Sequence, residues 1–76
     1  MSKLITMLRK SAEADKAKAL LSLELLDKKA VGIGDHSTED FYKNAEEALE
    51  LLSSALDRLE ALECYENQDS NKELLT

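Results

Sequence analysis

The sequence predicts an all-α protein: an antiparallel helical hairpin that assembles by dimerisation into a four-helix bundle. The 76 residues include no proline and few aromatic residues, and leucine and alanine hold most apolar positions, which favours helix over sheet. Apolar residues recur at helical spacing in both halves, and a segment with both glycines separates them. A chain of this length forms one domain at most and has barely enough core for stability, which favours support from a second copy.

The first helix is predicted over about residues 3–31. One narrow stripe of its surface, interrupted only by Lys16, is apolar at 100° per residue and consists of Ile5, Leu8, Ala12, Ala19, Leu23, Leu26 and Ala30. A second apolar set lies on roughly the opposite side and consists of Met7, Ala14, Leu21 and Leu25. Because a hairpin partner covers only one face, we expect the second set to be an oligomer face, with a homodimer as the first choice.

The turn is predicted over residues 32–37. Gly32 follows a last helical turn with two lysines, which is typical of a left-handed residue that ends a helix. Ser37 and Asp40 form the S-x-x-D capping pattern that begins the next helix. The residues to which this reasoning gives a structural role in the turn are Gly32, Ile33, Gly34, Asp35, His36, Ser37 and Asp40.

The second helix is predicted over about residues 38–65. Its apolar positions alternate in steps of four and three, as in a helical bundle, and are Phe41, Ala45, Ala48, Leu52, Ala55, Leu59 and Leu62. Three further residues, Tyr42, Leu49 and Leu56, widen this seam on one flank. Glu66 takes the next seam position, so we expect it either to pair with a lysine of the first helix or to mark the point where packing stops. Residues 66–76 are predicted to be a polar tail that begins as fraying helix.

Charge is distributed unevenly along the chain. Residues 1–30 carry a balance of +3, and residues 31–76 carry −9, within a net charge of −6. This balance disfavours binding to nucleic acid, because a phosphate backbone requires a basic surface. The second helix concentrates carboxylates on its polar side, and we expect a solvated face that is also a candidate surface for a basic protein partner. Its residues are Glu46, Glu47, Glu50, Asp57 and Glu60.

Catalytic and metal-binding interpretations are weak. The Gly-x-Gly at Gly32 lacks the preceding strand and third glycine of a dinucleotide site and the Gly-Lys-Ser/Thr of a P-loop. His36 and Cys64 lie about 40 Å apart along the helix at 1.5 Å per residue, so one copy cannot bring them together. The acidic run resembles the paired motifs with which all-helical nucleotide pyrophosphohydrolases hold Mg²⁺, although those enzymes draw carboxylates from different helices.

We therefore expect a non-catalytic interaction protein with no metal and no cofactor. Two alternatives stay open: a metal-dependent, pyrophosphohydrolase-like bundle, and a structural subunit of a larger assembly. No apolar stretch approaches the roughly 20 residues of a membrane span, and the first residues have no uninterrupted apolar segment typical of a secretion signal. We expect no membrane partner and a cytoplasmic location. A single cysteine, Cys64, cannot form an internal disulfide.

Two segments, AVGIGDHSTEDFYKNAEEAL and ALDRLEALECY, resemble a set of small helical proteins encoded by tailed phages, notably marine and cyanobacterial phages. In these, a leucine-rich helix leads into a Val-Gly/Ala-Ile-Gly-Asp/Glu-His turn and then an acidic helix. The resemblance covers roughly residues 20–65 and rests on Val31 to His36 and on Asp57 to Glu60. It implies phage origin and hence the host cytoplasm, but no established activity. After the second helix many such proteins continue with aromatic residues, whereas this chain has Cys64, Tyr65 and Glu66.

Overall fold

Two long helices packed against each other make up the computed structural model, which describes the backbone of residues 2–32 and 39–70 and the side chains of residues 2–30 and 40–68. α1 is Lys3–Gly32 and α2 is Glu39–Ser70. Arg9 pairs with Glu66, and Asp15 pairs with Arg58, so positions early in α1 lie beside positions late in α2. The helices are therefore antiparallel, and the predicted all-α hairpin is confirmed.

Ser2 caps the start of α1. Its Oγ accepts a hydrogen bond from the backbone N–H of Ile5 at 3.0 Å, and its carbonyl oxygen accepts one from the N–H of Thr6 at 3.1 Å. A serine oxygen in this position satisfies one of the backbone donors that have no partner within the helix. The sequence analysis gave Ser2 no role, although serine immediately before an apolar-periodic run is a known start signal.

The core between the helices consists of alanine. Ala12, Ala19 and Ala55 have no accessible surface, and Ala48 is 7% exposed. Among the described residues no large side chain is fully buried; seam leucines such as Leu23 and Leu52 are half-buried, and Leu8 is 41% exposed. Alanine lets the two backbones approach closely, but each alanine buries little area. The hairpin is consequently narrow, with most of its leucine surface at the edges of the seam or outside it.

The prediction that Gly32 ends α1 in a left-handed conformation is wrong. Gly32 is the last helical residue of α1, and no glycine in the described part of the chain has a positive φ. Right-handed helix is open to glycine as to other residues, so a glycine after a lysine-rich turn need not be left-handed. The turn predictions for Ile33, Gly34, Asp35, His36 and Ser37 lie outside the described residues, and Asp40 lies in the first turn of α2.

Because Gly32 is helical, the direction in which its substitution changes the stability of the hairpin can be predicted. Gly32→Ala should stabilise the hairpin by about 0.5–1 kcal/mol, because alanine loses less backbone entropy on entering a right-handed helix. Urea unfolding of the two proteins measures the difference. Ala17→Gly, at an exposed position in the middle of α1, measures the reverse substitution within a helix and so calibrates the expected change in stability. A left-handed Gly32 would give the opposite sign, with Gly32→Ala less stable than the parent.

The predicted end of the second helix is also wrong, because α2 continues past residue 65 to Ser70. Glu66, expected either to pair with a lysine of the first helix or to mark the end of packing, forms an ion pair with Arg9 across the seam, and both side chains are partly buried. A charged residue at a seam position does not end a helix when the facing helix supplies its counter-charge. Of the predicted polar tail, residues 66–70 are helical, and residues 71–76 lie outside the described part of the chain.

Candidate functional site

The predicted oligomer face lies on the outside of α1. Its four residues, which we call the α1 stripe, are Met7, Ala14, Leu21 and Leu25. All four are exposed, Leu21 at 57% and Leu25 at 58%. They lie more than 100° around the helix from the buried Ala12 and Ala19, so α2 does not cover them. Their role as an oligomer face stays a prediction.

A second exposed apolar surface lies on α2. Tyr42, Leu49 and Leu56, which we call the α2 stripe, recur every seven residues, and Leu49 is 58% exposed. The sequence analysis placed these residues on a flank of the seam. The structure leaves them outside it, because an alanine seam brings the helices close and the contact between them is correspondingly narrow. The chain thus carries uncovered leucine on both helices.

The two stripes face different directions. An open groove of about 580 Å³ between the helices is lined by Leu25 from α1 and by Glu47 from α2, which places both on one side. Leu49 follows Glu47 by two residues and so lies about 200° around α2. Leu56, two turns later, points in nearly the same direction as Leu49. A surface that covers one stripe therefore does not reach the other.

Charged side chains of opposite sign border the two stripes. Lys10, Lys18 and Lys28 lie beside the α1 stripe, and all three are exposed. Lys10 forms an ion pair with Glu13 at 4.0 Å and Lys28 forms one with Glu24 at 3.1 Å, so three lysines against two glutamates leave this border with a net positive charge. Glu46 and Glu60, each four residues after a member of the α2 stripe, lie beside it and are exposed. Over the whole helices, α1 has seven basic and four acidic residues, and α2 has two basic and ten acidic residues.

An ion pair divides the grooved side of the hairpin. Arg58 donates a hydrogen bond from Nη2 to Oδ2 of Asp15 at 2.8 Å and from Nε to the carbonyl oxygen of Ser54 at 3.3 Å. It lies between the larger groove and a smaller apolar one of about 250 Å³ next to Leu8 and Leu62. Sequence reasoning missed this pair. The signal was the presence of opposite charges beside the seam, but pairing them required the register of the hairpin.

The predicted acidic face is exposed throughout, at Glu46, Glu47, Glu50, Asp57 and Glu60. These carboxylates spread over a wide arc of one helix rather than converging. Among the residues that line the two grooves, Glu47 is the one carboxylate, and it shares its groove with Lys18. Within residues 2–32 and 39–70, no group of three or more potential metal ligands comes together. The carboxylates of this face therefore point into solvent and do not surround a common site.

Two candidates from the sequence remain, Cys64 and His36. Cys64 is an exposed free thiol near the end of α2, and His36 lies outside the described residues. Neither α1 nor α2, as far as the structure describes them, is long and apolar enough to cross a membrane. No protein-family model, no curated protein and no solved structure matches the chain.

Proposed function

We propose that this chain is a non-catalytic interaction protein that works as an assembly of its own copies, and that the first stable assembly is a homodimer of two hairpins packed as four helices. One observation carries the proposal. The fully buried core is made of alanine, while leucines on both helices stay more than half exposed. Exposed apolar surface of this extent on a small protein marks an interaction site.

The free energy of burying the exposed leucines favours association with a partner. Moving a leucine from an exposed to a buried position contributes about 1.5–3 kcal/mol, more than an alanine can. The hairpin leaves this contribution unused at Leu21, Leu25 and Leu49, each of which is more than half exposed. A second copy supplies apolar surface of the same kind without the need for a different protein. Closed assemblies of identical chains are the commonest oligomers.

The acidic surface of α2 supports a second contact as part of the same proposal. Five exposed carboxylates, from Glu46 to Glu60, attract a basic protein and speed its encounter. Together with the resemblance to tailed-phage proteins, this favours an accessory factor that acts in the host cytoplasm. A pyrophosphohydrolase-like activity is the weaker alternative, because such a site needs carboxylates from several helices, and the two grooves have only Glu47.

Sedimentation equilibrium over a wide concentration range tests the proposal. We expect the purified chain, of 8.5 kDa, to sediment at twice that mass or more and to dissociate on dilution. Circular dichroism on the same samples reports whether the helices persist. A fully helical species of 8.5 kDa at the highest concentration would contradict self-association. Masses well above a dimer that persist on dilution would favour a structural subunit of a larger assembly.

A further inference from the structure

We infer that copies of this chain associate head to tail, with the α1 stripe of one copy seated on the α2 stripe of the next. The inference rests on the proposed self-association and specifies its contact. The occupant of each stripe is thus a second copy of the chain, and the two sides of the contact are different surfaces.

The two stripes match in spacing and length. Met7, Ala14 and Leu21 recur every seven residues along α1, and Tyr42, Leu49 and Leu56 do so along α2. Each set spans about 21 Å at 1.5 Å per residue. Seven-residue spacing on both partners is the pattern that lets side chains of two helices interlock along a common seam. Small Ala14 in the middle of one stripe leaves room for a large side chain from the other.

The bordering charges select a mixed contact over a symmetric one. With an α1 stripe against an α2 stripe, Lys10, Lys18 and Lys28 lie along the same seam as Glu46 and Glu60. Two α1 stripes facing each other would bring lysines together, and two α2 stripes would bring glutamates together. Like charges across an interface oppose association, and opposite charges favour it and set the partner choice.

The directions in which the two stripes face are an independent reason to favour a head-to-tail contact. A two-fold axis pairs a surface with itself, so one symmetric contact covers one stripe and leaves the other exposed. A head-to-tail contact uses both stripes, which face different directions. Such contacts close into a ring or continue as an open array. A dimer held by one of them still presents one free stripe of each kind, and growth beyond the dimer follows at higher concentration.

Mixing two matched variants tests this contact by sedimentation velocity. The first variant carries Leu21→Gln and Leu25→Gln, and the second carries Leu49→Gln and Leu56→Gln, so each keeps one stripe intact. Each alone should be a monomer, and an equimolar mixture should form a dimer that does not grow further. A dimer formed by either variant alone would show a symmetric contact and overturn the inference.

Cross-linking provides a second test for the case in which the glutamine variants lose helix. In a Cys64→Ser background, Ala14→Cys and Leu49→Cys are made singly and together. On a denaturing gel after mild oxidation, we expect no disulfide-linked dimer of either single variant, a disulfide-linked dimer of the 1:1 mixture, and a ladder of disulfide-linked multimers of the combined variant. Efficient disulfide dimers of a single variant would contradict the inference.

The parent chain separates the two proposals. If the unmodified protein is a folded monomer at every concentration, the proposed self-association fails and this inference fails with it. If the unmodified protein associates while one glutamine variant still dimerises alone, the proposed function stands and only the head-to-tail contact fails.

Discussion

Ala55→Leu is expected to destabilise the hairpin by about 1–3 kcal/mol, because a leucine side chain has no space between backbones that an alanine seam holds close together. Ala55 has no accessible surface and lies midway along the contact. Chemical unfolding followed by circular dichroism measures the change. For a chain of this size, a loss of that magnitude lowers the midpoint of thermal unfolding by about 4–8 °C per kcal/mol.

A matched control isolates the effect of close packing. Ala17→Leu adds the same atoms to an exposed position of α1, away from the seam, and leucine is nearly as good a helix former as alanine. Its stability should stay within about 0.5 kcal/mol of the parent. If Ala55→Leu proved as stable as Ala17→Leu, the seam would have room for a leucine, and the helices would not be held as close together as alanine allows.

The midpoint of thermal unfolding should rise with protein concentration, since association stabilises the folded chain by mass action. For folding coupled to dimerisation, a hundredfold increase in concentration adds about 1.4 kcal/mol per chain. In a domain of this size that corresponds to about 5–10 °C. Scans at two concentrations a hundredfold apart measure it directly.

Substitutions on the two stripes should abolish this dependence. A variant with both Leu25→Gln and Leu49→Gln loses one leucine from each stripe and should unfold at a midpoint independent of concentration. Leu20→Gln, at a comparably exposed leucine outside both stripes, should keep the slope of the parent. An unchanged slope in the stripe variant would place the association elsewhere.

Local pattern determined much of the fold in advance. Helical spacing of apolar residues was enough to predict two helices, and alanines at Ala12, Ala19 and Ala55 marked the positions that the structure buries. The ends of the helices could be predicted less well from the sequence. Gly32 and Glu66 both carry signals that usually end a helix, and both are helical, because such signals state a preference that neighbouring interactions can outweigh.

The sequence by itself determined the all-helical class, the hairpin and the small-residue seam, since these depend on periodicity within one helix at a time. Only the tertiary structure decided that Arg9 meets Glu66, that Asp15 meets Arg58, and that Leu25 and Glu47 line one groove. Those features depend on the register and rotation of one helix against the other. Side-chain packing across the seam sets both, and a helical wheel does not contain them.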